Sequence, residues 1–197
     1  MIFTESITNQ KDFEAVAKMI SGDYADDPTF ITIFRGKSTL PLFKALLKYY
    51  NACENILVAR EGDKVCGVIL WNNLDDDVMN VDDMIKQGLL ATTFRFLCTT
   101  SPSLLLRLIK WSNVTNRNHY RERSHYYLFM ITVSEKGKGI GSSMMQELKR
   151  DKQYPIYLEN LNIEDNSHFY LKSGFESLGR YKVFGVENER YLYIPKE

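Results

Sequence analysis

The chain has 197 residues, 44% hydrophobic and 25% charged, with 25 basic and 25 acidic side chains and a formal net charge of zero. This is an ordinary globular composition, long enough to bury a full core in one domain spanning 1–197. The charge balance and the lack of a basic run give no case for nucleic acid or an anionic membrane, so neither is expected as a partner.

Residues 2–6 read as a first strand. The first residues hold no basic segment followed by an apolar one, so no signal peptide is expected. Asn9 or Gln10 starts a helix whose stripe is Phe13, Val16, Ala17 and Ile20, ended by Gly22. Residues 23–37 read as a loop around Asp26, Asp27 and Pro28. Ser38 or Thr39 caps the next helix, with Pro41 in its first turn and Leu42, Leu46, Leu47 and Tyr50 inward. Residues 56–60 and 64–71 form a hairpin about Glu61, Gly62 and Asp63.

Residues 75–118 are more chain than a strand connection needs, and two or three helices are expected there, over 81–88, 89–98 and 103–116. The most apolar stretch, 84–111, is interrupted by Lys86, Arg95, Arg107 and Lys110 and broken by Pro102. It therefore lacks the ~20 clean apolar residues of a membrane span. Cys53, Cys66 and Cys98 have no paired spacing. They read as reduced thiols of a cytoplasmic protein, with neither a disulfide framework nor a zinc pattern.

The most informative stretch comes next. A strand over 126–133 runs into the turn Lys136-Gly137-Lys138-Gly139-Ile140-Gly141, and a helix follows from Ser142 to Arg150. Glycines let backbone approach an anion, and the free N–H groups of a first helical turn point at it. Lys138 is followed by glycine, not by Ser or Thr, so this is no P-loop. Ser142 stands where a dinucleotide fingerprint needs its third glycine. A short strand over 155–159 follows. Asn166 and Tyr170, four residues apart, share a face of a short helix that Gly174 ends and Phe175 follows. Two strands, 175–186 and 190–194, close the chain, with a turn near 185–189.

The glycine turn followed by Asn166, Tyr170 and Gly174-Phe175 resembles the signatures of the GNAT superfamily of acetyl-CoA-dependent N-acetyltransferases. The match is close over 125–175, and 29–37 is similar to the acceptor-side loop of one GNAT branch. Two features depart from the pattern. Lys136 stands where the family prefers Gln or Arg, and the link from Val133 to Lys136 is short and lacks a proline.

The resemblance implies an α/β architecture: a mixed sheet of six or seven strands between helices, its fourth and fifth strands splayed to admit pantetheine. The 75–118 helices would be an insertion between strands 3 and 4. It implies direct acetyl transfer from acetyl-CoA to a primary amine in a ternary complex, with no metal. The N–H groups of Lys138, Gly139, Ile140, Gly141 and Ser142 would hold the pyrophosphate, with charge from Lys136 and Lys138. Ile131, Thr132 and Val133 would pair with the pantetheine, the Ile131 N–H polarising the acetyl carbonyl, and Asn166 would contact the cofactor.

Tyr170 would protonate the departing thiolate, a phenol and a thiolate being of similar basicity. Glu159, at the carboxyl end of its strand, is the candidate general base, with His125 and His168 as secondary candidates. The acceptor is a small-molecule or peptide amine, and the protein a monomer or homodimer. Asp75-Asp76-Asp77 and Asp82-Asp83 either attract a cationic acceptor or are solvated turn and helix-start charges. The insertion, with Phe94 and Trp111, either lines the acceptor pocket or is a helical cover over the core or a dimer interface. The same fold could use another acyl-CoA, or bind acyl-CoA as a non-catalytic sensor.

Overall fold

The computed structural model describes residues 1–74, 88–89, 98, 100–150, 152–161 and 163–195. Among them the chain forms β1 (Ile2–Thr4), α1 (Gln10–Asp23), α2 (Pro28–Phe34), α3 (Leu40–Ala52), β2 (Ile56–Glu61) and β3 (Lys64–Asn72). Then follow α4 (Pro102–Asn118), β4 (Tyr126–Val133), α5 (Ile140–Arg150), β5 (Ile156–Asn160), α6 (Ile163–Lys172), β6 (Glu176–Val183) and β7 (Val186–Tyr193). The expected segments 81–88 and 89–98, and with them Asp75–77, Asp82, Asp83 and Phe94, lie almost wholly outside the described residues.

Asn9 caps α1 by accepting from the Asp12 N–H at 2.9 Å. Val16, Ala17 and Ile20 are buried along its inner stripe. Asp12 itself pairs with Arg60 of β2 at 2.6 Å, pinning the helix to the sheet, and Arg60 and Asn9 hold its carboxyl below the usual range. The stretch 23–37 is not the loop expected from its polar start. Asp27 accepts from the Phe30 N–H at 2.9 Å and Pro28 takes the first helical position. Phe30, Ile33 and Phe34, spaced i, i+3, i+4, bury the resulting face. At α3 the expected cap is partly displaced: the Thr39 hydroxyl bonds to Ser21 at 2.7 Å, and Ser38 accepts from the Leu40 N–H instead.

Seven strands make one sheet in the order β1-β2-β3-β4-β5-β7-β6. Every neighbouring pair is antiparallel except β4 and β5. Helices α1 to α3, with part of α4, pack on one face around Ile20, Phe43, Leu47, Val58 and Leu70, whereas α5 and α6 cover the other around Met144, Met145, Ile69 and Leu158. Helix α5 lies so close to β3 that a Cβ on Gly67 would collide with the Met144 sulfur. The last hairpin turns at Phe184 and Gly185, both left-handed (φ 51° and 85°). Such a turn returns the strand at once, so β7 begins at Val186, four residues before the expected start.

The opening in the sheet is local. Strand β4 pairs with β5 only through Tyr126, Tyr127 and Leu128, opposite Ile156, Tyr157 and Leu158. On its other edge the register slips at the same place: Leu70 faces Met130 and Trp71 faces Leu128, leaving Phe129 as an extra residue. A bulge bends the strand that carries it. Beyond Phe129, β4 keeps its ladder to β3 and leaves β5.

Candidate active site

Two cavities flank this opening. The first, about 480 Å³, is a groove lined by Ile131, Val133, Gly137, Gly139, Ile140, Gly141 and Ser142, with Asn166, His168, Phe169 and Tyr170 of α6 opposite. Gly137 and Gly139 take φ of 82° and 76°, a conformation that favours glycine. They turn the chain so that α5 starts at Ile140, earlier than the expected Ser142, and the N–H groups of Ile140, Gly141 and Ser142 are those a helix cannot satisfy internally. A Cβ on Gly141 would meet the Phe169 ring at 3.4 Å and Val133 Cγ1 at 3.8 Å, both ordinary contacts.

The charges at the groove are partly matched within the protein. Lys136 lies 3.7 Å from Asp23, and Lys138 forms a 2.6 Å pair with Glu135 that lifts it above the usual lysine range. Neither Lys138 nor Thr132 lines the groove, and the Thr132 hydroxyl donates to Asp23 at 3.1 Å.

The second cavity, about 70 Å³, lies on the other side of the opening. Its walls come from α1 (Asp23), the following turn (Tyr24, Asp27), α2 (Phe30), α4 (Trp111), β4 (Tyr127, Phe129, Met130) and β5 (Glu159, Asn160). Both cavities share Asp23, Ile131, Lys136, Asn166 and Tyr170. Asp27 is buried and its carboxyl is pushed up, chiefly by that burial. Trp111 meets Phe30 edge-on at 5.6 Å.

Glu159 is the most constrained carboxylate here, its side chain 2% exposed. It accepts from the Tyr157 hydroxyl at 2.8 Å and from the Tyr181 hydroxyl at 2.5 Å. Burial, reinforced by the Glu159 charge, pushes both phenols far above their usual range. They are fixed donors that stay protonated. Tyr170, buried against Phe169, Phe175 and Tyr191, is also pushed well up, first by burial and then by Asp23.

Of the residues expected from the sequence, Ile131, Val133, Lys136, Gly139, Ile140, Gly141, Ser142, Asn166 and Tyr170 meet at the groove, and Glu159 faces the chamber. His168 lines the groove, while His125 is buried behind the chamber next to His119. Asn166 lies inside α6, not at its start. Sequence reasoning missed Asp23, Tyr24, Tyr127, Tyr157, Tyr181 and His119. Only Asp23 and Tyr24 had a signal, their closeness to the acidic turn before Pro28.

Among the described residues no helix is long and apolar enough to cross a membrane, no cluster of His, Cys, Asp and Glu could hold a metal, and the cysteines are free thiols. No family sequence model and no curated protein matches the chain. Solved structures do. A histone acetyltransferase HPA2 and related acetyltransferase from Corynebacterium glutamicum superposes with a TM-score of 0.63 at 20% identity, over 96% of this chain and 94% of that one. An N-acetyltransferase from Staphylococcus aureus gives 0.63 at 17% identity, over 98% and 100%. An agmatine N-acetyltransferase variant in its apo form gives 0.63 at 10% identity, over 97% of each chain. The seven-stranded mixed sheet, opened between β4 and β5 beside a glycine turn, is the fold of the GNAT acetyltransferases.

Proposed function

We propose that the protein transfers an acetyl group from acetyl-CoA directly to a primary amine held in the same complex. The observation that carries this reading is the meeting of the two cavities at Tyr170 and Ile131. A carrier in the groove and an acceptor in the chamber would come together there.

The groove suits acetyl-CoA. The first-turn N–H groups of α5 and the Gly137 and Gly139 backbone fit a pyrophosphate, Lys136 adds a cation, and the β4 edge past Phe129, without a β5 partner, fits an amide-bearing arm. Bound there, acetyl-CoA would supply the activated acyl group as a thioester. Ile131 has its backbone N–H at the junction, where a developing negative charge on oxygen needs a donor.

The chamber suits the acceptor. Asp23, Asp27 and Glu159 favour a cation, and Tyr24, Phe30 and Trp111 give it aromatic walls. At about 70 Å³ it admits the slender end of an alkylamine, with the rest of the acceptor outside. An amine with a pKa near ~10 arrives protonated, and Glu159, held as an acceptor by two phenols that cannot give up their protons, takes its proton. Tyr170 hands its phenolic proton to the leaving sulfur. The burial that raises Tyr170 also disfavours a bare thiolate beside it, which keeps the two matched.

A non-catalytic acyl-CoA sensor needs only the groove; the chamber and its clamped carboxylate favour the enzyme. The test is a panel of primary amines incubated with acetyl-CoA, reading the CoA thiol released. Turnover with slender alkylamines and none with aryl amines is expected. Tight acetyl-CoA binding with no turnover on any amine would favour the sensor.

A further inference from the structure

Resting on that reading, we infer that His119 is the proton exit of the site, relaying from Glu159 to solvent the proton taken from the acceptor.

Glu159 has an exit problem. Its side chain is 2% exposed, and once the chamber is filled the acceptor blocks the way the proton came. Neither phenol on its oxygens solves this. Tyr157 and Tyr181 already donate, and both resist ionising. Tyr127, on β4 in the chamber wall, is pushed up by burial in the same way. Arg190 of β7, opposite Glu159 in the sheet, is a donor only: it donates to the backbone oxygens of Asn118 and Leu178 at 3.1 and 3.0 Å.

His119 is different. Its Nδ1 lies 3.8 Å from Glu159 Oε1 and its side chain is 19% exposed, so it reaches from the buried carboxylate to water. The residue follows the last turn of α4, whose end is pinned by the Arg190 bond to Asn118. Tyr127 and Tyr157 hold its ring edge-on, at 5.0 and 4.7 Å, and Tyr120 stacks on Tyr157 behind it. The gap of 3.8 Å is slightly beyond hydrogen-bond reach (~2.6–3.2 Å), and such contacts tighten when a site fills.

The proton positions follow from the neighbours. His125 Nδ1 is 2.9 Å from the Arg123 carbonyl, which can only accept, so the proton of neutral His125 is on Nδ1. His125 Nε2 is then an acceptor for His119 Nε2–H, 3.1 Å away. That leaves His119 Nδ1 bare and facing Glu159. In turnover the O–H bond of protonated Glu159 breaks as an N–H bond forms at Nδ1, restoring the carboxylate and giving an imidazolium. The imidazolium then loses a proton to solvent or buffer and is neutral again. No oxidant or further reactant is needed. His119 does not touch the acceptor and acts through Glu159.

Two measurements test this. Long-range ¹H–¹⁵N spectra of the free protein read the ring tautomers without any substrate. Nε2–H at His119 and Nδ1–H at His125 are expected; Nδ1–H at neutral His119 would overturn the relay. Kinetics with the panel amine of highest turnover supply the second. His119→Ala should lose roughly tenfold or more in kcat, less than the ~10²–10⁴ of a direct acid–base group. Added imidazole should restore it in proportion to its concentration, with acetyl-CoA affinity unchanged.

His119→Gln, which keeps hydrogen-bonding groups, gives the same loss if the alanine variant fails to fold. Wild-type turnover in these variants, or a loss that imidazole leaves untouched, would overturn the proposal. Glu159→Gln separates the two readings. Full activity in that variant sinks Glu159 as base, whereas an inactive Glu159→Gln beside unaffected His119 variants sinks the relay alone.

Discussion

The groove and the chamber share a wall, yet they are built from different material. The groove is made largely by one continuous segment, β4 through the glycine turn into α5, and what it offers a ligand is chiefly backbone N–H donors. The chamber gathers side chains from α1, α2, α4, β4 and β5, separated by up to most of the chain. A backbone-built site depends on conformation, so its variants fail through φ/ψ or through a side chain put where none fits. A side-chain-built site depends on chemistry and volume, so its variants should fail one property at a time.

The sharpest way to break the groove is Gly141→Asp. A carboxylate on the first turn of α5 would face the pyrophosphate proposed there, and like charges in contact cost several kcal/mol. Calorimetry should show acetyl-CoA affinity reduced by ~10²-fold or more, with the fold intact by circular dichroism. Gly141→Ala sharpens the result. Its methyl makes ordinary contacts with the Phe169 ring at 3.4 Å and Val133 at 3.8 Å and adds no charge, so affinity should change little. Equal binding by the aspartate variant would remove the pyrophosphate from this turn.

Tyr170 belongs to both cavities, and Tyr170→Phe asks whether their junction is chemical. The ring packing against Phe169, Phe175 and Tyr191 is kept and only the hydroxyl is lost. We expect kcat to fall by ~10²–10⁴-fold, the usual worth of an acid–base group, with acetyl-CoA affinity unchanged. Because burial holds the phenol well above its usual range, its own ionisation should leave no limb in the pH–rate profile near neutrality. Unchanged turnover would make Tyr170 a packing residue.

The contrast in material explains what could be read from the sequence. Glycines at 137, 139 and 141 between an apolar strand and a helix carry the groove in consecutive letters, and Asn166 and Tyr170 carry its opposite wall at helical spacing. The chamber has no such line of text. Tyr157 and Tyr181 look like ordinary strand aromatics until β5, β7 and β6 are laid side by side and both hydroxyls are found on Glu159. His119 lies forty residues before its partner Glu159 and comes near it through the last turn of α4. Even α2 was hidden, because Asp26, Asp27 and Pro28 signal a turn as readily as a helix start; the aromatic stripe after them decided it.

The gentlest test of the chamber is Trp111→Leu. Trp111 is the residue by which α4, the described helix of the long 75–118 connection, reaches the chamber. Its indole meets Phe30 edge-on, an arrangement worth about 0.5–1.5 kcal/mol beyond area, and a cation over such a face gains about as much again. Loss of the cation contact alone predicts a KM for the amine raised about two- to fivefold, with kcat and acetyl-CoA affinity little changed, since the hydrogen-bond donors on Glu159 are Tyr157 and Tyr181, and Trp111 does not line the groove. Stability should fall only modestly. The indole Nε1 is buried without a hydrogen-bond partner among the described residues, so leucine removes an unsatisfied donor, which offsets part of the volume and of the Phe30 contact it gives up. A change in oligomeric mass instead of KM would mean that this part of the connection serves an interface. The acceptor's contacts would then fall to Asp23, Tyr24 and Asp27, and Asp27→Asn, which keeps the α2 cap but not the charge, would become the variant that raises KM.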